Sequence, residues 1–186
     1  MRLPDLPDDG AHLPGVPDEM ERLWTPHRIA YIRGDIGAKP ATSDAADCPF
    51  CLAPQRPDEE GLVVARGKFA YVVLNLFPYT SGHLLVCPYR HIAQYPETTL
   101  EEMTEMGELT KQAMATLKAQ YNPGGFNIGM NQGPVAGAGI AAHLHQHVVP
   151  RWQGDANFLP IIGRTKAMPE FLADVQARLS KNWVKD

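Results

Sequence analysis

His143-Leu144-His145-Gln146-His147-Val148-Val149-Pro150-Arg151-Trp152 is the stretch on which the reading of this chain turns. Taken as a β-strand over residues 143–149, it sends alternate side chains to opposite faces. His143, His145 and His147 then share one face, each about 6.6 Å from the next. A single histidine on a strand is an ordinary surface or core residue. Three on one face, directly after the Gly-rich loop at 132–139, form a site, because neutral imidazole offers a lone pair near pH 7 for attack, proton transfer or metal ligation. One metal held by all three is an open reading, although the segment has no carboxylate to complete a hard-ion site.

Working outward, residues 62–65 and 69–74 are short apolar runs separated by Arg66-Gly67-Lys68, which predicts a hairpin. Residues 84–87 read as a strand closed by Pro88, and residues 126–130 as another. Between them, residues 99–121 carry Met103, Met106, Thr110, Ala113, Met114, Leu117 and Tyr121 at three- and four-residue steps, the stripe of a long amphipathic helix. Thr98 with Glu101, or Thr99 with Glu102, can cap its start, and Asn122-Pro123-Gly124-Gly125 ends it. Met168-Pro169 opens a last helix whose buried face is Phe171, Leu172, Val175 and Leu179. About five strands in a cluster with one long helix and a C-terminal helix predict an α+β fold built on an antiparallel sheet.

Upstream, residues 1–16 are rich in Pro, Asp and Gly, and residues 18–31 have helix-like spacing interrupted by Pro26. Residues 1–47 are therefore expected to form an N-terminal arm and helix, and residues 48–186 the main domain. At 186 residues and 44% hydrophobic, the chain can bury a core. Its net charge of −4, from 17 Lys+Arg against 21 Asp+Glu, provides no basic field for a nucleic-acid backbone. No apolar run approaches the roughly 20 residues of a membrane helix, and the acidic, Pro-broken start does not read as a secretion signal. Three cysteines make no disulfide framework. Two of them form Cys48-Pro49-Phe50-Cys51, which favours a reducing, cytoplasmic setting with a metal or redox role.

His-x-His-x-His-x-x-Pro-Arg at 143–151, preceded by Asn131-Gln132-Gly133-Pro134, resembles the signature of the histidine-triad (HIT) superfamily. Asn75-Leu-Phe-Pro-Tyr-Thr-Ser-Gly-His83, running on to Pro88 and His91, is similar to a second block of that family. Residues 151–158 resemble the branch of bacterial diadenosine tetraphosphate phosphorylases. The likeness spans roughly residues 48–165. It implies a HIT-like sheet, pairing of two protomers or a larger homo-oligomer, and nucleotidyl transfer through a covalent histidine. In that picture His145 attacks an α-phosphorus, and His147 bonds phosphate or leaving-group oxygens and donates a proton. Asn131 contacts phosphate and Asn75 lies near the ribose. Ala138 and Gly139 belong to a backbone cradle for phosphate oxygens.

Cys48 and Cys51 need two further donors for a closed tetrahedral zinc site, and His91 and His143 are the available ones. The same Cys-x-x-Cys and two-histidine set occurs in some members of the superfamily and in related uridylyltransferases. It implies a structural zinc that leaves the central histidine for chemistry. A metal-free buried cysteine pair is the alternative. His83 reads as a structural hydrogen-bonding residue and Cys87 as core. Arg151 can face polyphosphate or form a surface ion pair, Trp152 can pack or join an interface, and Arg164 and Lys166 cannot be placed.

Two departures bear on the acceptor. The Gly-Gln-Thr/Ser-Val run of the hydrolase branches is replaced by Gly137-Ala138-Gly139-Ile140-Ala141-Ala142, and Ala142 stands where related phosphorylases often carry an acid. The preferred expectation is phosphorolysis of dinucleoside polyphosphates, with diadenosine tetraphosphate and inorganic phosphate giving ADP and ATP. Hydrolysis of dinucleoside polyphosphates or nucleoside phosphoramidates by water, and a non-enzymatic nucleotide-binding role, are the alternatives.

Overall fold

The computed structural model describes residues 44–155 and 169–185. The expected arm and helix before residue 44, Asn157, Phe158, Arg164, Lys166 and Met168 lie outside the described residues. A helical turn at Ala45–Asp47, capped by the Asp44 side chain, leads into one-turn helix α1 (Pro49–Leu52) and then α2 (Asp58–Gly61). Strands β1 (Val63–Arg66), β2 (Ala70–Leu74) and β3 (Leu84–Pro88) follow. Next come the long helix α3 (Leu100–Tyr121), strands β4 (Gly125–Met130) and β5 (Gln146–Arg151), and helix α4 (Leu172–Lys181). The strands form one antiparallel five-stranded sheet in the order β1-β2-β3-β5-β4. The α+β architecture is the one read from the sequence.

Strands β2 and β3 are buried on both faces, which explains their continuous apolar runs. Ala70, Val72, Leu74, Leu84 and Val86 pack with Met106, Leu109, Ala113 and Leu117 of α3 and with Val175 and Leu179 of α4. Tyr71, Val73, Leu85 and Cys87 face the other way and pack with Cys48 and Phe50. Helix α3 starts at Thr99, whose hydroxyl accepts the Glu102 N–H at 3.2 Å while the Glu102 carboxylate accepts the Thr99 N–H at 2.8 Å. Asn122 ends it in the left-handed region at φ 46°.

Three details differ from the sequence reading. The buried stripe of α3 runs through Leu109 and Thr116, with Met103 only half-buried, so the helix is rotated slightly from the Met-rich line. Phe171 is 81% exposed at the N-cap of α4 rather than on its buried face. The triad strand begins at Gln146, not at His143. Pro88 has no N–H to continue the β3–β5 ladder, and its carbonyl is taken by the His143 imidazole at 2.9 Å. The Leu144 N–H bonds instead to Ile92 O at 2.6 Å, so residues 143–145 enter the sheet along the segment after β3.

Candidate active site

The triad lies on the sheet face opposite α3, since His147 pairs in register with Leu85, which faces Cys48 and Phe50. Beside it, the turn between β2 and β3 closes on itself. The Asn75 N–H bonds to His83 O at 2.9 Å and the Asn75 side chain accepts from the Phe77 N–H at 3.0 Å. The Thr80 hydroxyl ties the turn to Pro150 O at 2.9 Å. Gly82 sits at φ +76°, where a side chain would be strained, and its built Cβ would meet Leu117 at 2.8 Å.

These bonds fix the protons on three imidazoles. The Tyr79 N–H points at Nδ1 of the fully buried His83 at 3.1 Å, so Nδ1 is an acceptor and the ring proton sits on Nε2. His83 Nε2 therefore donates to His147 Nδ1 at 2.9 Å, and neutral His147 keeps its proton on Nε2. That Nε2 is buried with no hydrogen-bond partner among the described residues. His145 donates from Nδ1 to the His143 carbonyl at 2.8 Å, leaving the lone pair on Nε2. The rings of His145 and His147 lie 5.1 Å apart, edge to face. One therefore presents a lone pair and its neighbour an N–H donor.

Burial holds both rings neutral. It lowers the pKa of His145 below the ordinary imidazole value, and burial followed by the nearby His145 lowers that of His147 to about 4. Gln146, between them in sequence, points to the helix side and donates to the Thr110 hydroxyl at 2.6 Å, which fastens the strand to α3.

His143 turns away from this pair. Because its Nε2–H is given to Pro88 O, its Nδ1 lone pair faces the sulfurs of Cys48 at 3.4 Å and Cys51 at 3.5 Å. His91 Nδ1 is 3.3 Å from the Cys51 sulfur, and one donor atom from each of the four residues lies within 4.8 Å of the others. This group can hold a metal ion. It draws on the turn before the sheet, the segment after β3 and the entry to β5. Arg90, next to His91, forks onto the buried Glu102 carboxylate at 2.7 Å, so the start of α3 also orients the His91 segment. That guanidinium holds the Glu102 carboxyl below the usual range.

A cavity of about 390 Å³, lined by none of the triad histidines, shares Leu85 and Phe50 with the sheet face that carries them. Pro49, Phe50, Leu52, Val73, Leu85 and Ile140 form its apolar walls, Leu76 and Phe77 also line it, and Asp47, Arg56 and Glu60 bring charge to it. Phe50 reaches from this wall to the His145 ring at 4.9 Å. Asn75 follows β2 beside the cavity. Asn131 extends β4 one residue past the Met130–Gln146 pair, at the level of His145. Ala138 is buried with its N–H bonded to Gly133 O at 3.3 Å, and Gly139 next to it is exposed. Arg151 pairs with Asp155 at 2.6 Å and bonds Asn127, which is the ion-pair reading of that residue.

Sequence reasoning passed over Phe50, Tyr79 and the Gln146–Thr110 bond. The lone polar residue between Leu144 and Val148 on the strand's apolar face was a usable signal for Gln146; a backbone donor such as Tyr79 leaves none.

Residues 56–154 match the HIT domain family. The chain is 46% identical over 172 residues to the AP-4-A phosphorylase of Mycobacterium tuberculosis, covering 92% of this chain and 88% of that protein. It is 29% identical over 106 residues to a bifunctional bis(5'-adenosyl)-triphosphatase/adenylylsulfatase of Arabidopsis thaliana, covering 57% and 58%. A Zn-bound histidine triad family protein from Mycobacterium smegmatis shares the fold, with a TM-score of 0.60 at 24% identity over 75% of this chain and 94% of that one. The chain belongs to the HIT family.

Proposed function

We propose that this chain is a nucleotidyltransferase that splits dinucleoside polyphosphates with inorganic phosphate, by way of a nucleotidyl group carried on His145. The observation that carries the reading is the His145 Nδ1–H bond to the His143 carbonyl, which aims an Nε2 lone pair beside a buried N–H donor on His147. Similarity to the AP-4-A phosphorylase over nearly the whole chain supports the substrate class.

His145 Nε2 attacks the α-phosphorus, and the bond from phosphorus to the bridging oxygen breaks. His147 Nε2–H hydrogen-bonds to that oxygen and stabilises the charge that builds on it, and the nucleoside polyphosphate departs as the anion while His147 keeps its proton. The positive charge on the phosphorylated imidazole is stabilised by its Nδ1–H bond to the His143 carbonyl. Phosphate then attacks the same phosphorus, the P–N bond breaks and neutral His145 returns. With diadenosine tetraphosphate the first half releases ATP and the second ADP. One nucleoside occupies the apolar cavity with its ribose toward Asn75, while Asn131, Ala138 and Gly139 flank the phosphates.

Cys48, Cys51, His91 and His143 hold a structural zinc in this reading. A tetrahedral ion with Zn–S of about 2.3 Å and Zn–N of about 2.0 Å has S···N edges of about 3.5 Å, which the 3.3, 3.4 and 3.5 Å separations match. When bound, zinc supplies a fixed orientation for the His143 carbonyl rather than chemistry on the substrate. None of the three cysteines is in a disulfide, in keeping with a cytoplasmic protein. Among the described residues no helix is long and apolar enough to cross a membrane. Ile128, 46% exposed on edge strand β4, suits a homodimer with a continued sheet. Residues 1–47 are read as an N-terminal arm and helix and residues 48–186 as the catalytic domain, with Asp47 at the junction lining the cavity.

Incubation with diadenosine tetraphosphate, with and without inorganic phosphate, tests the function. Phosphate-dependent ADP alongside ATP is expected. AMP formed without phosphate would assign the chain to the hydrolases, and binding without turnover to the non-enzymatic nucleotide binders.

A further inference from the structure

Helix α1 has only four residues, too few to hold its own shape, so its conformation depends on what it touches. Four ties are present. Cys48 and Cys51, at either side of Phe50, belong to the metal-holding group. The Phe50 carbonyl accepts the hydroxyl of the buried Tyr71 at 2.6 Å. The buried Phe50 ring meets His143 edge-on, with centroids 5.6 Å apart, and His145 at 4.9 Å. On its other side Phe50, with Pro49 and Leu52, walls the cavity. A shift of either cysteine therefore carries Phe50 with it, and a shift of Phe50 alters both the cavity wall and the face of His145.

We propose that Phe50 is a positioning residue through which metal retention and nucleoside binding reinforce each other. This rests on the reading of the cavity as the nucleoside subsite. A nucleoside fills only the cavity whose wall is formed, and the metal holds the same turn in the wall-forming conformation. Each ligand thus favours the state the other needs, and the coupling is reciprocal.

The test uses the full chain loaded with zinc. Its zinc affinity is measured by competition with a metallochromic chelator, with and without saturating AMP, while calorimetry on the loaded chain measures AMP binding separately. AMP is expected to tighten zinc by at least about fivefold, the low end of ordinary coupling between sites. In Phe50→Leu that factor should fall close to one although zinc still binds. In Tyr71→Phe, which keeps the ring contacts and loses only the hydroxyl, the factor should shrink, and this milder variant carries the test if Phe50→Leu does not fold. AMP that binds without changing zinc affinity overturns the coupling and leaves the nucleotide reading intact. A full factor retained in Phe50→Leu overturns the role of Phe50. No AMP binding to the loaded chain overturns both.

Discussion

His83 Nε2 stands 2.9 Å from His147 Nδ1, and His83 Nδ1 is already held by the Tyr79 N–H at 3.1 Å. A backbone amide thus sets, two rings away, which nitrogen of His147 carries the proton. Losing His83 leaves His147 free to hold its proton on Nδ1, where it cannot reach a leaving group. His83→Asn is expected to lower single-turnover cleavage of diadenosine tetraphosphate by about 10- to 100-fold, the usual cost of losing a group that orients a reacting residue. An AMP ester of 2,4-dinitrophenol, a leaving group far less basic than the terminal phosphate of ATP and so less dependent on a hydrogen bond, should lose much less. Equal losses on the two substrates would show that His83 serves the fold rather than the leaving-group contact.

The half-buried Gln146 and the buried Thr110 predict a non-additive pair. Thr110→Val strands the Gln146 amide beside α3 and should destabilise the protein by about 1–3 kcal/mol in denaturant unfolding. Thr110→Val with Gln146→Leu should recover most of that loss, because no polar group is then left unpaired. Strict additivity would mean that the 2.6 Å bond contributes nothing specific.

The pH dependence of stability follows from His147. Its folded pKa, about 4, lies below the unfolded value of about 6.5. Above the unfolded value neither state binds the proton, and this contribution is fully present. As pH falls from about 6.5 toward 4 the unfolded chain binds more protons, so stability declines across that window. Tm should fall over this interval and fall less steeply in His147→Asn. An identical slope in the variant would remove His147 from the account.

The metal group predicts a stability effect separable from chemistry. Purified chain should hold about one zinc, and Cys48→Ser should lose it and melt at lower temperature. Elemental analysis and a thermal melt read both quantities. A Cys48→Ser variant with unchanged melting would show that the four donors meet without a metal holding them.

Much of this was legible in the sequence because it rests on spacing. The apolar steps of α3 and the continuous apolar runs of β2 and β3 marked their elements, while the grouping of Cys48 and Cys51 with His91 and His143 came from the resemblance to the family rather than from spacing. The entry to β5 was not legible. Alternation alone runs the strand back to His143, while the real start is set by a missing N–H at Pro88 and a side chain that takes its carbonyl. The roles of His83 and Phe50 were equally hidden. One depends on which atom a distant backbone amide faces, the other on a ring shared between two sites, and neither leaves a pattern in the order of residues.

The central claim is the covalent nucleotidyl group on His145. The most direct measurement is mass analysis of the chain quenched under alkaline conditions, with peptide mapping, after mixing with diadenosine tetraphosphate without phosphate. The account predicts one adenylyl group on the peptide carrying His145, discharged as ADP when phosphate is added and absent in His145→Ala. Product formation with no adduct, or an adduct that persists in His145→Ala, would contradict it.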